Sequence, residues 1–230
     1  MYSIAIDGPA GAGKSTIAKA IAKDIGFIYV DTGAMYRAIA LYFLRKKIDG
    51  QDRKRIAEEC PNIHVSLSYD TEGRQQVYLN GENVTGYIRS EEVGKMASMT
   101  SAVPEVRSTL LDLQRDMAKT SDILMDGRDI GTNVLPDAFL KIYLTASADI
   151  RAKRRYDELK VQGISCNIDQ IKADIIQRDR QDMERPIAPL CQAEDAILVD
   201  SSDMSIPQVI DTIITEFKNK MHIVGVNNEN

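Results

Sequence analysis

"SIAIDGPAGAGKSTIAKAIAKDIG", Ser3 to Gly26, is the stretch that decides the fold. "SIAID" is a short apolar run, as expected of a strand buried on both faces of a parallel sheet. "STIAKAIAKDIG" reads as the helix that follows. Between them "GPAGAGKS", Gly8 to Ser15, fits G-x-x-x-x-G-K-[ST] in the right context, after a strand and before a helix. Glycines let successive backbone N–H groups turn inward around phosphate oxygens. Lys14 would reach the β- and γ-phosphates, and Ser15 would offer its hydroxyl to Mg²⁺. The helix beginning near Ser15 adds its positive dipole end. The expected triphosphate cradle is therefore Gly8, Pro9, Ala10, Gly11, Ala12, Gly13, Lys14, Ser15 and Thr16. Taken alone, the motif specifies a nucleoside triphosphate and nothing finer.

Four more apolar runs extend the pattern: "FIYVD" from Phe27, "DILMD" from Asp122, "LKIYL" from Leu140 and "AILVD" from Ala196. Together the five predict an α/β fold with a five-stranded parallel sheet flanked by helices. Four of them end in aspartate (Asp7, Asp31, Asp126, Asp200), and ligands of open α/β sheets bind at the carboxyl ends of strands. N-capping of the following helix is the competing use of such a residue. From Ile63 the chain alternates instead, with Ile63, Val65, Leu67 and Tyr69 on one face. "TEG" and Asn80-Gly81 are turn signals, so a small antiparallel sheet is expected inside the α/β core. "EVGKMASMTSAVPEVRSTLLDLQRDMAK" reads as a helical segment leading back to that core. The tail after Lys220, "MHIVGVNNEN", is expected to fray.

Of the 230 residues, 43% are hydrophobic and 27% charged, ordinary for a globular chain. The net charge of -5 argues against a general nucleic-acid binder, which is usually basic. No run of about 18 apolar residues suggests a membrane span, and the start has no basic region before an apolar stretch, so no leader is expected. The three cysteines, Cys60, Cys166 and Cys191, are far apart and odd in number, fitting neither a disulfide framework nor a zinc site. A cytoplasmic setting follows as the expectation.

The chain lacks the N-K-x-D base-reading pattern of GTPases and is instead rich in arginine. Arg151, Arg154 and Arg155 fall at i, i+3, i+4; Arg178, Asp182 and Arg185 fall at i, i+4, i+7. Such faces are commonly only solvated, but two of them in a P-loop chain point to a second phosphate-bearing ligand.

"IDGPAGAGKST", "DTGAMYRA", "DGRDIGT", "RDRQDMERPIAPL" and "AILVDSS" together resemble the bacterial cytidylate kinase family, in the family's motif order, from Ser3 to about Lys218. The resemblance implies a P-loop kinase core (about 1–36, 108–146 and 190–220), a CMP-binding subdomain with the β insert (about 37–107) and a helical lid (about 147–165). All lie within one domain over 1–225, with 221–230 as the tail. It implies transfer of phosphate from ATP to CMP or dCMP with Mg²⁺, by a monomer that uses neither nucleic acid nor membrane. Thr32, Arg37, Arg128 and Arg185 would hold the CMP phosphate. Ser98, Arg107 and Asp129 would read cytosine, Ser98 being preferred to Ser101 on its nine-residue spacing to Arg107. Arg178 and Asp182 would address the sugar. Lys14, Arg128, Arg154, Arg155 and Arg185 would carry catalysis. Arg151 and Arg154 would meet ATP from the lid. Asp126, at a Walker-B-like strand end, would join Ser15 at the metal, through water. Thr32 stands where some members have serine, and the hydroxyl role survives.

The chemistry agrees with that scheme. A phosphate acceptor has a second pKa of about 6, so it needs no general base. What joining two polyanions needs is positive charge, and arginine's planar fork supplies it bidentately. Two other readings compete. One is a P-loop kinase acting on UMP, a deoxynucleoside or an alcohol, with Asp129 recruited as base for an alcohol. The other is a nucleotide switch without transfer activity.

Overall fold

The computed structural model describes residues 1–228, with side chains to 224. All five expected runs are strands: β1 (Ser3–Asp7), β2 (Ile28–Asp31), β6 (Ile123–Gly127), β7 (Leu140–Thr145) and β8 (Ile197–Asp200). They form one parallel sheet in the order β2-β6-β1-β7-β8. Side chains alternate across it. Ile4 and Ile6 pack with Leu124, Ile142 and Leu144 against α1 (Lys14–Ile25) and α8 (Ile206–Asn228). Ala5, Val30, Ile123 and Met125 face the other way, toward α2 (Thr32–Arg45) and α5 (Pro104–Thr120). Residues such as Ile4 and Ile6 are fully buried, each contributing about 1.5–3 kcal/mol relative to exposure. Two-sided burial is why these strands read as continuous apolar runs.

The excursion between β2 and β6 begins with α2 and α3 (Arg53–Glu59). It continues into the antiparallel sheet β3 (Val65–Tyr69), β4 (Gln75–Leu79) and β5 (Glu82–Asn83). Asn80-Gly81 makes the two-residue turn, with Leu79 opposite Glu82. The helical stretch that follows divides in two, α4 (Glu91–Thr100) and α5. Pro104 opens α5, and Val103 before it is extended at φ -85°, ψ 125°. Proline disfavours helical backbone in the residue ahead of it, which breaks the run there. After β7 come α6 (Ala148–Val161) and α7 (Ile168–Glu184), packed together.

Helix α8 extends past Lys220 to Asn228, anchored by Val209, Ile213 and Phe217 in the core. Residues 229–230 lie outside the described range. The three cysteines are unpaired, Cys60 buried and Cys191 exposed. Among the described residues no helix is long and apolar enough to cross a membrane.

Candidate active site

Strand β1 delivers the chain to the phosphate loop. A side chain at Gly8 would place its Cβ 1.9 Å from the Leu144 carbonyl oxygen on β7, so only glycine passes. Gly13, at φ 90°, starts α1 without any side-chain cap, leaving the positive end of the helix open toward the cleft. Lys14 folds back over the loop, its Nζ donating to the carbonyls of Gly8 (2.7 Å) and Pro9 (2.8 Å). Burial, then the neighbouring Arg128, pushes its pKa down to about 7, against the pull of Asp126 and Asp7.

The strand-end aspartates have separate uses. Asp7 accepts the N–H groups of Ile130 (2.8 Å) and Gly131 (2.7 Å), which ties β1 to the π-helical turn Ile130–Val134. Asp31 caps α2 through the Ala34 N–H at 2.9 Å. Asp200 accepts from the N–H and hydroxyl of Ser202. Asp126 caps no helix. Its Oδ2 accepts from the Ser15 hydroxyl (2.9 Å) and its Oδ1 from Tyr29 (2.8 Å). Burial, then Asp31, raises its pKa to about 6, with Lys14 opposing. The sheet order dictates this meeting, because β6 lies between β2 and β1 and Asp126 stands in register with Asp31 and Ile6. Ser15 and Asp126 offer hard oxygen donors of the kind Mg²⁺ takes. So small a protein donor set suits an ion that keeps several waters and binds mainly through phosphate.

Beside the loop lies a cleft of about 300 Å³ lined by Ala10, Gly11, Gly13 to Thr16, and a wall of charge from α2, α4, α5, β6 and α7. Of the expected acceptor-side residues, Thr32, Arg37, Ser98, Arg107, Arg128, Asp129, Arg178, Asp182 and Arg185 all line it. Thr32 donates to the Asp126 carbonyl at 2.8 Å. Arg128 Nε donates to Asp182 at 2.8 Å. Arg185 lies just past the last helical residue of α7. Its Nη2 donates to Asp129 Oδ1 at 3.1 Å, and its Nε to the Ala188 carbonyl at 2.7 Å. Arg107 pairs with the other oxygen of Asp129, which also accepts from Asn133 at 3.1 Å. Arg107 sits 5.4 Å over the Tyr36 ring.

Positive charge here is poorly compensated. Burial first, then neighbouring guanidinium groups, lowers the pKa of Arg37, Arg178 and Arg185, Arg178 to about 10. Such repulsion is relieved when an anion enters. Ser98 Oγ, Arg107 Nε and Arg178 Nε are buried with no protein partner, whereas buried polar atoms are normally satisfied. All three belong to residues of this cleft. The Ser101 hydroxyl is already spent on the Ser98 carbonyl at 3.1 Å.

The three arginines expected in a lid part company. Arg151 is buried away from the cleft wall and donates to the carbonyls of Ala146 and Ala10 (both 2.9 Å) and to Asp179 at 2.6 Å. Arg154 donates to the Ser201 carbonyl at 2.8 Å, and its Nη1 lies 4.0 Å from where a Gly13 Cβ would sit, so it flanks the phosphate loop. Arg155 is half exposed and pairs with Glu158 at 3.1 Å. Asp31, read as a strand-end aspartate with helix capping as its other use, both caps α2 and lines the cleft. Sequence reasoning missed two polar residues of the wall, Tyr36 and Arg89; Tyr36 had a signal, one turn beyond Thr32. Arg89, which pairs with Asp31 at 2.8 Å, had none.

A phosphate loop on a five-stranded parallel sheet, facing a second cation-lined pocket, defines a P-loop kinase. A solved structure of an uncharacterised protein from Eubacterium ventriosum ATCC 27560 shares the fold, with a TM-score of 0.50 at 12% identity over 95% of this chain and 99% of that one. The cytidylate kinase family model matches residues 4–219. A cytidylate kinase from Caldicellulosiruptor bescii is 49% identical over 94% of this chain and 95% of its own. One from Desulfitobacterium hafniense strain Y51 is 47% identical over 99% and 97%. The chain belongs to the cytidylate kinase family.

Proposed function

We propose that the protein transfers the γ-phosphate of ATP to CMP or dCMP, giving ADP and CDP or dCDP, by direct in-line displacement without a general base. The observation that carries this is the trio of unpartnered buried atoms, Ser98 Oγ, Arg107 Nε and Arg178 Nε, in the cleft that also holds Asp129. A carboxylate offers about four acceptor positions. Asp129 fills three, with Arg107, Arg185 and Asn133, leaving one for the cytosine amino group. Ser98 and Arg107 donate to the ring acceptors, and Arg178 with Asp182 holds the sugar.

Thr32, Arg37, Arg128 and Arg185 bind the acceptor phosphate and offset the repulsion between the two anions. The phosphate loop and Lys14 orient the donor. Ser15 and, through water, Asp126 would hold Mg²⁺, which would supply charge neutralisation on the triphosphate. No residue has to remove a proton, because the acceptor phosphate is mostly dianionic near neutral pH. Arg151 acts through the loop, gripping the Ala10 carbonyl from the root of the lid, while Arg154 meets the donor. The protein works as a monomer in the cytoplasm. A coupled assay of ATP against CMP, dCMP, UMP and AMP tests the reading: CMP and dCMP should dominate, and equal use of UMP would refute the base assignment.

Closure of the lid at about 147–165, which is α6 and the turn after it, over ATP would exclude water. Arg154→Ala is expected to lower kcat by about 10–100-fold while KM for CMP moves less than about threefold, because the lost contact acts on the transferring phosphate. A selective loss of CMP affinity would count against the lid role. Arg155, turned toward Glu158, is predicted to contribute only after such closure.

A further inference from the structure

Strand β2 is the outer strand of the parallel sheet, and its free edge is not left open. The Asp31 N–H donates to Gln75 Oε1 at 2.8 Å, and Gln75 Nε2 donates back to the Asp31 carbonyl at 3.2 Å. Two residues earlier on the same edge, the Tyr29 carbonyl accepts from the Tyr69 hydroxyl at 3.0 Å. Tyr69 and Gln75 are directly opposed across β3 and β4. Their side chains together take the place of the missing neighbouring strand. A primary amide can do this because it carries one acceptor and one donor face, like a peptide unit. Gln75 also breaks its own pattern. It shares a strand face with Val77 and Leu79, both buried, and a polar residue on an apolar face is the informative kind of exception.

Asp31 is the residue so gripped. Its carboxylate caps α2 at Ala34 and pairs with Arg89. The next residue is Thr32, and Arg37 follows in α2. We propose that Gln75, assisted by Tyr69, is a positioning residue for the acceptor phosphate, docking the inserted hairpin onto the edge of β2 so that Asp31, Thr32 and Arg37 are held in register. This rests on the reading of the cleft as a CMP site. Hairpin register matters to it: a slip of one residue would turn both side chains to the opposite face.

The test uses the full chain with Gln75→Ala, Gln75→Met and Tyr69→Phe. Small misplacements of substrate-holding groups cost up to about 100-fold, and the expected result for Gln75→Ala is a rise of roughly tenfold in KM for CMP. KM for ATP should stay within about twofold, because the phosphate loop is untouched. Gln75→Met keeps the length of the side chain but neither hydrogen bond, and should behave like Gln75→Ala. Tyr69→Phe should move KM for CMP in the same direction by less. Amide hydrogen exchange followed by NMR should show the Asp31 N–H losing protection in both Gln75 variants.

Loss of that protection with KM for CMP unchanged would overturn the proposal, leaving a tether that is only structural. So would a parallel loss on both substrates with a lowered Tm, a wild-type-like Gln75→Met, or undiminished Asp31 protection. Failure of the wild-type chain to phosphorylate CMP would refute the earlier reading instead, whatever the exchange data show.

Discussion

Lys14→Met is expected to lower kcat/KM for CMP phosphorylation by a factor on the order of 10³, in line with losing a preorganised cation at a transferring phosphoryl group. The wild-type ammonium is buried, is held by two loop carbonyls, and has its pKa pushed down to about 7 by burial and by Arg128. It is therefore a poorly solvated donor aimed across the loop, and a triphosphate there would restore the charge that burial disfavours. Methionine retains most of the stem, so packing is largely preserved. CMP binding, measured by calorimetry, should stay within about twofold, because the acceptor wall does not depend on Lys14. A loss in kcat/KM smaller than tenfold would remove Lys14 from the transfer step.

Asp129→Asn is the second large effect, expressed as specificity. Asparagine keeps the volume but replaces one acceptor oxygen by a donor. The mismatch with the cytosine amino group should cost on the order of 1–3 kcal/mol, and the clash that penalises uracil's O4 is relieved. The ratio of kcat/KM for CMP over UMP should fall by at least about tenfold. Asp129→Ala should abolish the preference too, but it also strands Arg107 and Arg185, whose guanidinium groups share that buried carboxylate. Breaking a buried ion pair by removing one partner costs about 3–5 kcal/mol of stability; asparagine also loses the charge but keeps one acceptor oxygen for a guanidinium, so it is the milder probe and its Tm is read beside its kinetics. An unchanged CMP/UMP ratio in a folded Asp129→Asn protein would take base reading away from Asp129.

What proved legible was what local chemistry encodes. The phosphate loop is contiguous, and its glycines answer constraints within a few residues, as Gly8 beside β7 shows. The buried strands declared themselves because burial on both faces removes polar residues. The helical spacing of Arg178 and Asp182 placed both on the cleft. The same kind of spacing put Arg151, Arg154 and Arg155 on one helix, but not against one partner. Periodicity says which residues share a face, not what that face meets; here it met the Ala10 carbonyl and Asp179, Ser201, and Glu158 in turn. Pro104 carried a break that the helical reading across Ser101 to Val103 concealed.

By itself the sequence determined the class of sheet, the phosphate cradle and the family, because each depends on residue types at short, fixed spacings. Only the tertiary structure decided which charges face one another. Asp126 reaches Ser15 because the order β2-β6-β1 sets their strands side by side. Asp129 is clasped by Arg107 from α5 and Arg185 from the end of α7. Gln75 meets Asp31 across 44 residues of chain. Such pairings are fixed by packing and strand order, and strand order is not written in the spacing of any one segment.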